Sequence, residues 1–159
     1  MQVKPLLQSV ASALLAMVCL ACGPTVVYEE TRTVANGSGW SYQDSLVFTP
    51  NIPSDQQVYD LELVVEHGED FPYENFYLKI HTTPPSGLRT TELISLDLSG
   101  DFGAWHGDCG GGICELPIAL LQNTRFQEAG TYRIVLEQNS RDNPLPAIQS
   151  VGLRLSETP

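Results

Sequence analysis

Along most of this 159-residue chain, apolar side chains recur at every second position: Tyr59, Leu61, Leu63 and Val65 alternate with Asp60, Glu62 and Glu66. Successive side chains of a strand point to opposite faces, so this period belongs to a half-buried strand and not to a helix. It returns in Phe76-Leu78-Ile80, Ile94-Leu96-Leu98, Tyr132-Ile134-Leu136 and Val151-Leu153-Leu155. Leu116-Ile118-Leu120 fits it too, although Leu116 to Leu121 also admits a helical turn. Turn-forming clusters separate the segments: Pro50 to Pro53, Gly68 to Pro72, Pro84 to Gly87, Ser99 to Gly112 and Asn143 to Pro146. Adding Val26 to Val34 and Ser45 to Phe48 brings the count to about eight strands, which predicts an all-β, antiparallel two-sheet β-sandwich, the jelly roll being one such topology. Strand order does not follow from spacing. Trp40 and Tyr73 are expected to fill the core or seal its ends, because large aromatics bury most of their area.

The first residues serve another purpose. Lys4 precedes an apolar run from Leu6 to Leu20 that has signal-peptide length and is too short to span a bilayer stably. The run stops at Ala21-Cys22-Gly23, where a small side chain sits immediately before a cysteine. This stop reads as a lipoprotein signal: residues 1–21 cleaved, Cys22 the first mature residue and the site of lipidation. Cys19, behind the bulky Val18, is the rival acceptor, and an ordinary signal without lipid is the plainer alternative. Each buried CH₂ contributes about 0.8 kcal/mol, so two or three acyl chains hold a protein effectively permanently. Residues 22–27 then read as a lipidated N-terminus and short tether, and 28–159 as one β-sandwich domain. No second apolar run long enough for a transmembrane helix follows Cys22. Gly23-Pro24-Thr25 carries no acid, and the first acids are Glu29 and Glu30, which favours a body facing the periplasm, with the outer membrane the expected anchor.

Loss of residues 1–21 leaves seven cations against nineteen acids, a net charge of −12 where the whole chain carries −11. The cations are scattered singly, from Arg32 and Lys79 to Arg154, and phosphate backbones need them clustered. Nucleic-acid binding is therefore not expected.

Cys109-Gly110-Gly111-Gly112-Ile113-Cys114 carries the most specific chemistry of the mature chain. Outside the cytosol thiols oxidise, and the three glycines permit a tight closure, so a local Cys109–Cys114 disulfide is expected. A metal site built from these thiols with His106, Asp101 and Asp108 is the sharper alternative, but no second CxxC or HxxxH partner exists and oxidation removes both thiolates; no metal or cofactor is expected. The parts of an enzyme are also missing: there is no Gly-x-Ser-x-Gly elbow, no singled-out carboxylate pair and no phosphate loop leading into a helix. His81 is expected on the polar face of its strand, and His67 in the turn that begins at Gly68.

One family resemblance runs in order along the chain. Val27-Tyr28-Glu29-Glu30, Trp40, Asp70-Phe71-Pro72-Tyr73-Glu74-Asn75-Phe76-Tyr77-Leu78, and a Gly-rich loop with Trp105 and Gly107 follow the lipid-type Cys22. Gly130-Thr131-Tyr132, Glu137-Gln138, Arg141, Pro144-Leu145-Pro146 and Val151-Gly152-Leu153-Arg154-Leu155 complete it. In these residues the chain resembles the gliding motility lipoproteins called GldH, of Bacteroidota. It departs from them at Ala147, where Gly is expected, at Ser140, where Met is usual, and in carrying Cys109 and Cys114. The resemblance implies a non-catalytic envelope lipoprotein of the gliding motility machinery, or a factor for its assembly, acting through contacts with envelope proteins. A carbohydrate-binding sandwich is the alternative. For either, Phe102, Trp105 and His106 form the candidate binding loop, with Phe71 and Tyr73 as further aromatics; for Phe102 and Trp105 the sequence favours neither ligand contact nor packing.

Overall fold

The alternating segments emerge as strands whose inward sides meet in one core. The computed structural model describes residues 23–34 and 39–158. Among them run β1 (Thr25–Thr33), β2 (Leu46–Phe48), β3 (Asn51–Ile52), β4 (Tyr59–Gly68), β5 (Asn75–Thr83), β6 (Thr90–Asp97), β7 (Asp108–Gly110), β8 (Ile113–Thr124), β9 (Gly130–Thr131), β10 (Arg133–Gln138) and β11 (Ile148–Glu157). One sheet has the order β1-β11-β4-β8-β7 and the other β2-β10-β5-β6, while β3 and β9 form a two-stranded ribbon. Every pairing is antiparallel. Setting aside the short β3, β7 and β9, the partners nest: first with last (β1 with β11), then β2 with β10, β4 with β8 and β5 with β6. That wrapping is a jelly roll.

The core lies between the two sheets. Phe48, Phe76, Leu78 and Leu136 face Leu63, Leu153 and Leu155, all fully or almost fully buried. β4 shows how the sequence sets the faces. Tyr59, Leu61, Leu63 and Val65 point inward, and the same period carries His67 inward as well, so His67 belongs to the strand and not to the turn after it. Leu116 to Leu121 is strand, because Leu116 pairs with Val65 and Ile118 with Leu63 in the β4–β8 ladder. Pro117 is tolerated there, since among the described residues only the three-residue β7 lies beyond β8 and the rest of that edge has no partner strand.

Two expectations need correction. β1 starts at Thr25, inside the segment read as tether, because Thr25 and Val26 pair with Glu157 and Ser156 before a bulge at Val27. Trp40 is fully buried with its indole N–H donating to the Asp44 carbonyl at 2.7 Å, but Tyr73 is 41% exposed. Phe71 takes the inward place, and Tyr73 packs edge-to-face against it from outside with ring centroids 5.7 Å apart.

Candidate functional site

The register gives the sandwich two distinct ends. Thr25, Glu157, Tyr59 and Thr124 lie in one row across the larger sheet, and Thr33, Ser150, Glu66 and Glu115 lie in another. β1 therefore climbs away from its N-terminal end by about 26 Å at 3.3 Å per residue. At the far end emerge four connections: the described residues 39–45, then 69–74, 98–107 and 139–147. Backbone bonds tie them into one surface, with Trp40 and Leu145 exchanging N–H to O bonds of 2.8 Å, Gly68 N–H donating to Ala147 O at 2.8 Å and Leu98 N–H to Glu74 O at 2.8 Å.

The predicted binding loop divides on this surface. Phe102 lies in a 3-10 turn, Asp101–Gly103, fully exposed and with a φ of 65°. A positive φ is uncommon for a bulky residue, and an exposed phenyl ring gains nothing from burial, so two local costs meet at one side chain. Trp105 turns the other way. It is half-buried, its ring centroid 4.8 Å from that of His67 and 6.4 Å from that of Phe71. The His106 ring is exposed and lies over Gly100, 2.9 Å from where a Cβ would stand. Phe102 and His106 thus face solvent, and Trp105 serves as a wall.

Cys114, the ladder partner of His67, sits directly opposite Cys109 in the β7–β8 hairpin, and the two are joined by a disulfide. The two residues of the turn, Gly111 and Gly112, have φ values of 64° and 87°, the pair of left-handed conformations that a type I′ hairpin demands. Gly107 has a second reason: a Cβ there would lie 2.2 Å from the Glu115 carbonyl oxygen. Both thiolates of the metal alternative are spent in the disulfide, and among the described residues no group of three or more His, Cys, Asp or Glu side chains is placed to hold an ion. Asp101, in the 3-10 turn, and Asp108, the first residue of β7, are both exposed.

Sequence reasoning named Tyr73 as a further aromatic but missed Tyr42 and Tyr77, and all three tyrosines lean on a single loop, residues 139–147. Tyr42 donates its hydroxyl to the Ser140 carbonyl and its backbone N–H to Asn143 Oδ1, the latter at 2.9 Å. Tyr73 donates to the Asp142 carboxylate, a bond that pushes its phenol above the usual range. Tyr77 N–H donates to Ser140 Oγ at 3.0 Å. Their exposures are 46, 41 and 46%, so the Tyr42 and Tyr73 hydroxyls and the Tyr77 backbone are tied to the loop while all three rings still present faces to solvent. No local pattern signals this, because the loop that gathers them lies 63 to 101 positions away in sequence.

The remaining histidines have structural partners. His81 Nε2 lies 3.2 Å from Glu137 Oε2 and Nδ1 lies 2.7 Å from Thr91 Oγ1. A neutral imidazole satisfies both, donating to the carboxylate and accepting from the hydroxyl. His67 donates from Nδ1 to the Gly68 carbonyl at 2.9 Å.

Fold and surface together define a small antiparallel jelly-roll domain with an aromatic loop end. The chain belongs to the GldH lipoprotein family, whose family model matches residues 26–155. The gliding motility lipoprotein GldH homolog of Christiangramia forsetii is 27% identical over 146 residues, spanning 87% of this chain and 88% of the relative. The gliding motility lipoprotein GldH of Flavobacterium johnsoniae is 21% identical over 151 residues, spanning 91% and 92%. Among solved structures, the VP2 subviral particle of infectious bursal disease virus overlaps 81% of this chain at a TM-score of 0.35 and 13% identity, the chain spanning 32% of that one.

Proposed function

We propose that the chain is a non-catalytic lipoprotein, anchored through Cys22 to the periplasmic face of the outer membrane, that serves gliding or envelope machinery by docking a protein at its aromatic loop end. Cys22 itself lies outside the described residues. The carrying observation is the separation of the two ends: the strand nearest the anchor begins at Thr25, and Tyr42, Tyr73, Tyr77 and Phe102 are exposed at the opposite end. A surface aimed away from the bilayer suits a soluble partner. Tyrosine and phenylalanine are enriched at protein interfaces, where rigid rings contribute area at low entropic cost.

The same rings also offer flat faces to sugars, which keeps carbohydrate as the second reading. A crosslinked pulldown from the envelope, run beside a glycan array, separates the two. Capture of defined envelope proteins that is lost with Phe102→Gly, together with a silent array, is the expected outcome. A glycan signal that disappears with Tyr73→Ala, with no protein captured, would transfer the site to carbohydrate.

A further inference from the structure

The sandwich is open along one side, between β6 and β8. Among the described residues β6 pairs only with β5, over eight residue pairs without a register shift, and it contains no proline. From Pro117 to Thr124, β8 pairs with β4 on one side and, among the described residues, has no neighbouring strand on the other. Between the two edges lies a cavity of about 440 Å³, lined by Leu61, Ile118 and Leu120 on one sheet and Ile80, Ile94 and Glu92 on the other. Glu92 has no ion pair or side-chain hydrogen bond among the described residues. Neither rim strand carries a Lys or Arg.

We infer that this open side accepts an extended segment of a partner protein as an added strand on β6, with alternate apolar side chains in the cavity and a Lys or Arg facing Glu92. Three features favour that occupant. An unpaired edge offers a row of main-chain N–H and C=O groups that only another extended backbone matches along its length. An acyl chain would leave that row unmatched and set Glu92 against hydrocarbon, which is costly. A second copy pairing β6 with β6 would join two strands that carry acids, Glu92 on one face and Asp97 on the other, and no Lys or Arg, so neither face gains an opposite-charge cross-strand pair. This surface is distinct from the aromatic loop end, so either can fail without the other.

The probe is the peptide Thr-Val-Thr-Lys-Thr-Val-Thr, symmetric about its lysine so that either strand direction presents the cation to Glu92. Added to the full-length protein, it is expected to slow amide exchange across residues 90–97 selectively. Glu92→Lys should weaken binding about tenfold, and replacing the peptide lysine by glutamate should restore it on that variant. Glu92 is exposed, so the substitution leaves the core intact. No protection of residues 90–97 at millimolar peptide, or protection indifferent to both charge changes, would overturn the inference. Concentration-dependent self-association that protects the same residues without peptide would assign the edge to a second copy and overturn it as well.

Discussion

At the scale of single residues, two non-glycine residues in left-handed backbone carry different meanings. Phe102 combines a φ of 65° with full exposure, so its side chain has no packing role in the free protein and is the ring most available to a partner. Ala147 has a φ of 57°, and its carbonyl accepts the Gly68 N–H at 2.8 Å. This is the position where the family resemblance led us to expect Gly, and the left-handed conformation is the physical reason. Left-handed backbone costs an L-residue roughly 1–2 kcal/mol, part of which a glycine returns through its freer unfolded state. Ala147→Gly is expected to raise stability by about 0.5 kcal/mol in urea unfolding, and a loss of stability would contradict the assignment. Glu137 carries a pH signature. The hydrogen bond from His81 holds its carboxyl below the ordinary value of 4.5, burial opposes this, and the Ser45 hydroxyl adds to it. The folded state therefore binds that proton more weakly than the unfolded chain does. Stability from this group is complete above pH 4.5 and declines as pH falls through the lowered folded value. Glu137→Gln should flatten the acid limb of a melting-temperature profile below that pH while changing its neutral plateau through the lost bond.

At the scale of elements, the β7–β8 hairpin was readable and its surroundings were not. Six consecutive residues, Cys109 to Cys114, contain both sulfurs and both turn glycines, so all the information is local. Closing so short a loop restricts the unfolded chain by about 2 kcal/mol on the entropic model. Reduction should lower stability by about that amount and alter tryptophan emission, since Cys114 pairs with His67, whose ring lies against Trp105, while the far-ultraviolet signature of the sheets persists. Collapse of the whole β signal on reduction would show the hairpin to be a support of the core. His67 illustrates the opposite case. The glycine after it imitates a turn, yet the β4 period of two places 67 on the same face as 59 through 65, and tertiary pairing with Cys114 extends the strand to it. Tyr73 was misassigned for a related reason: residues 71–74 lie outside any strand, so alternation does not decide which aromatic turns inward, and Phe71 does.

For the whole molecule, alternation identified an antiparallel β-sandwich because each strand buries a single face. Strand order was hidden because jelly-roll partners join distant segments, as where Arg154 binds Glu29, 125 positions away. The loop end was hidden for the same reason, and the long-range bonds to residues 139–147 create it. What results is a domain with polarity, its chain entering at one end and its exposed aromatics gathered at the other. The central claim is that the aromatic end docks a protein while the entry end faces the anchor. A photocrosslinking amino acid placed at Phe102 in living cells tests this, with Leu88, 75% exposed on the β5–β6 connection at the entry end, as the reference site. Discrete protein adducts from position 102, absent from position 88, are predicted; adducts from position 88 alone would contradict the account.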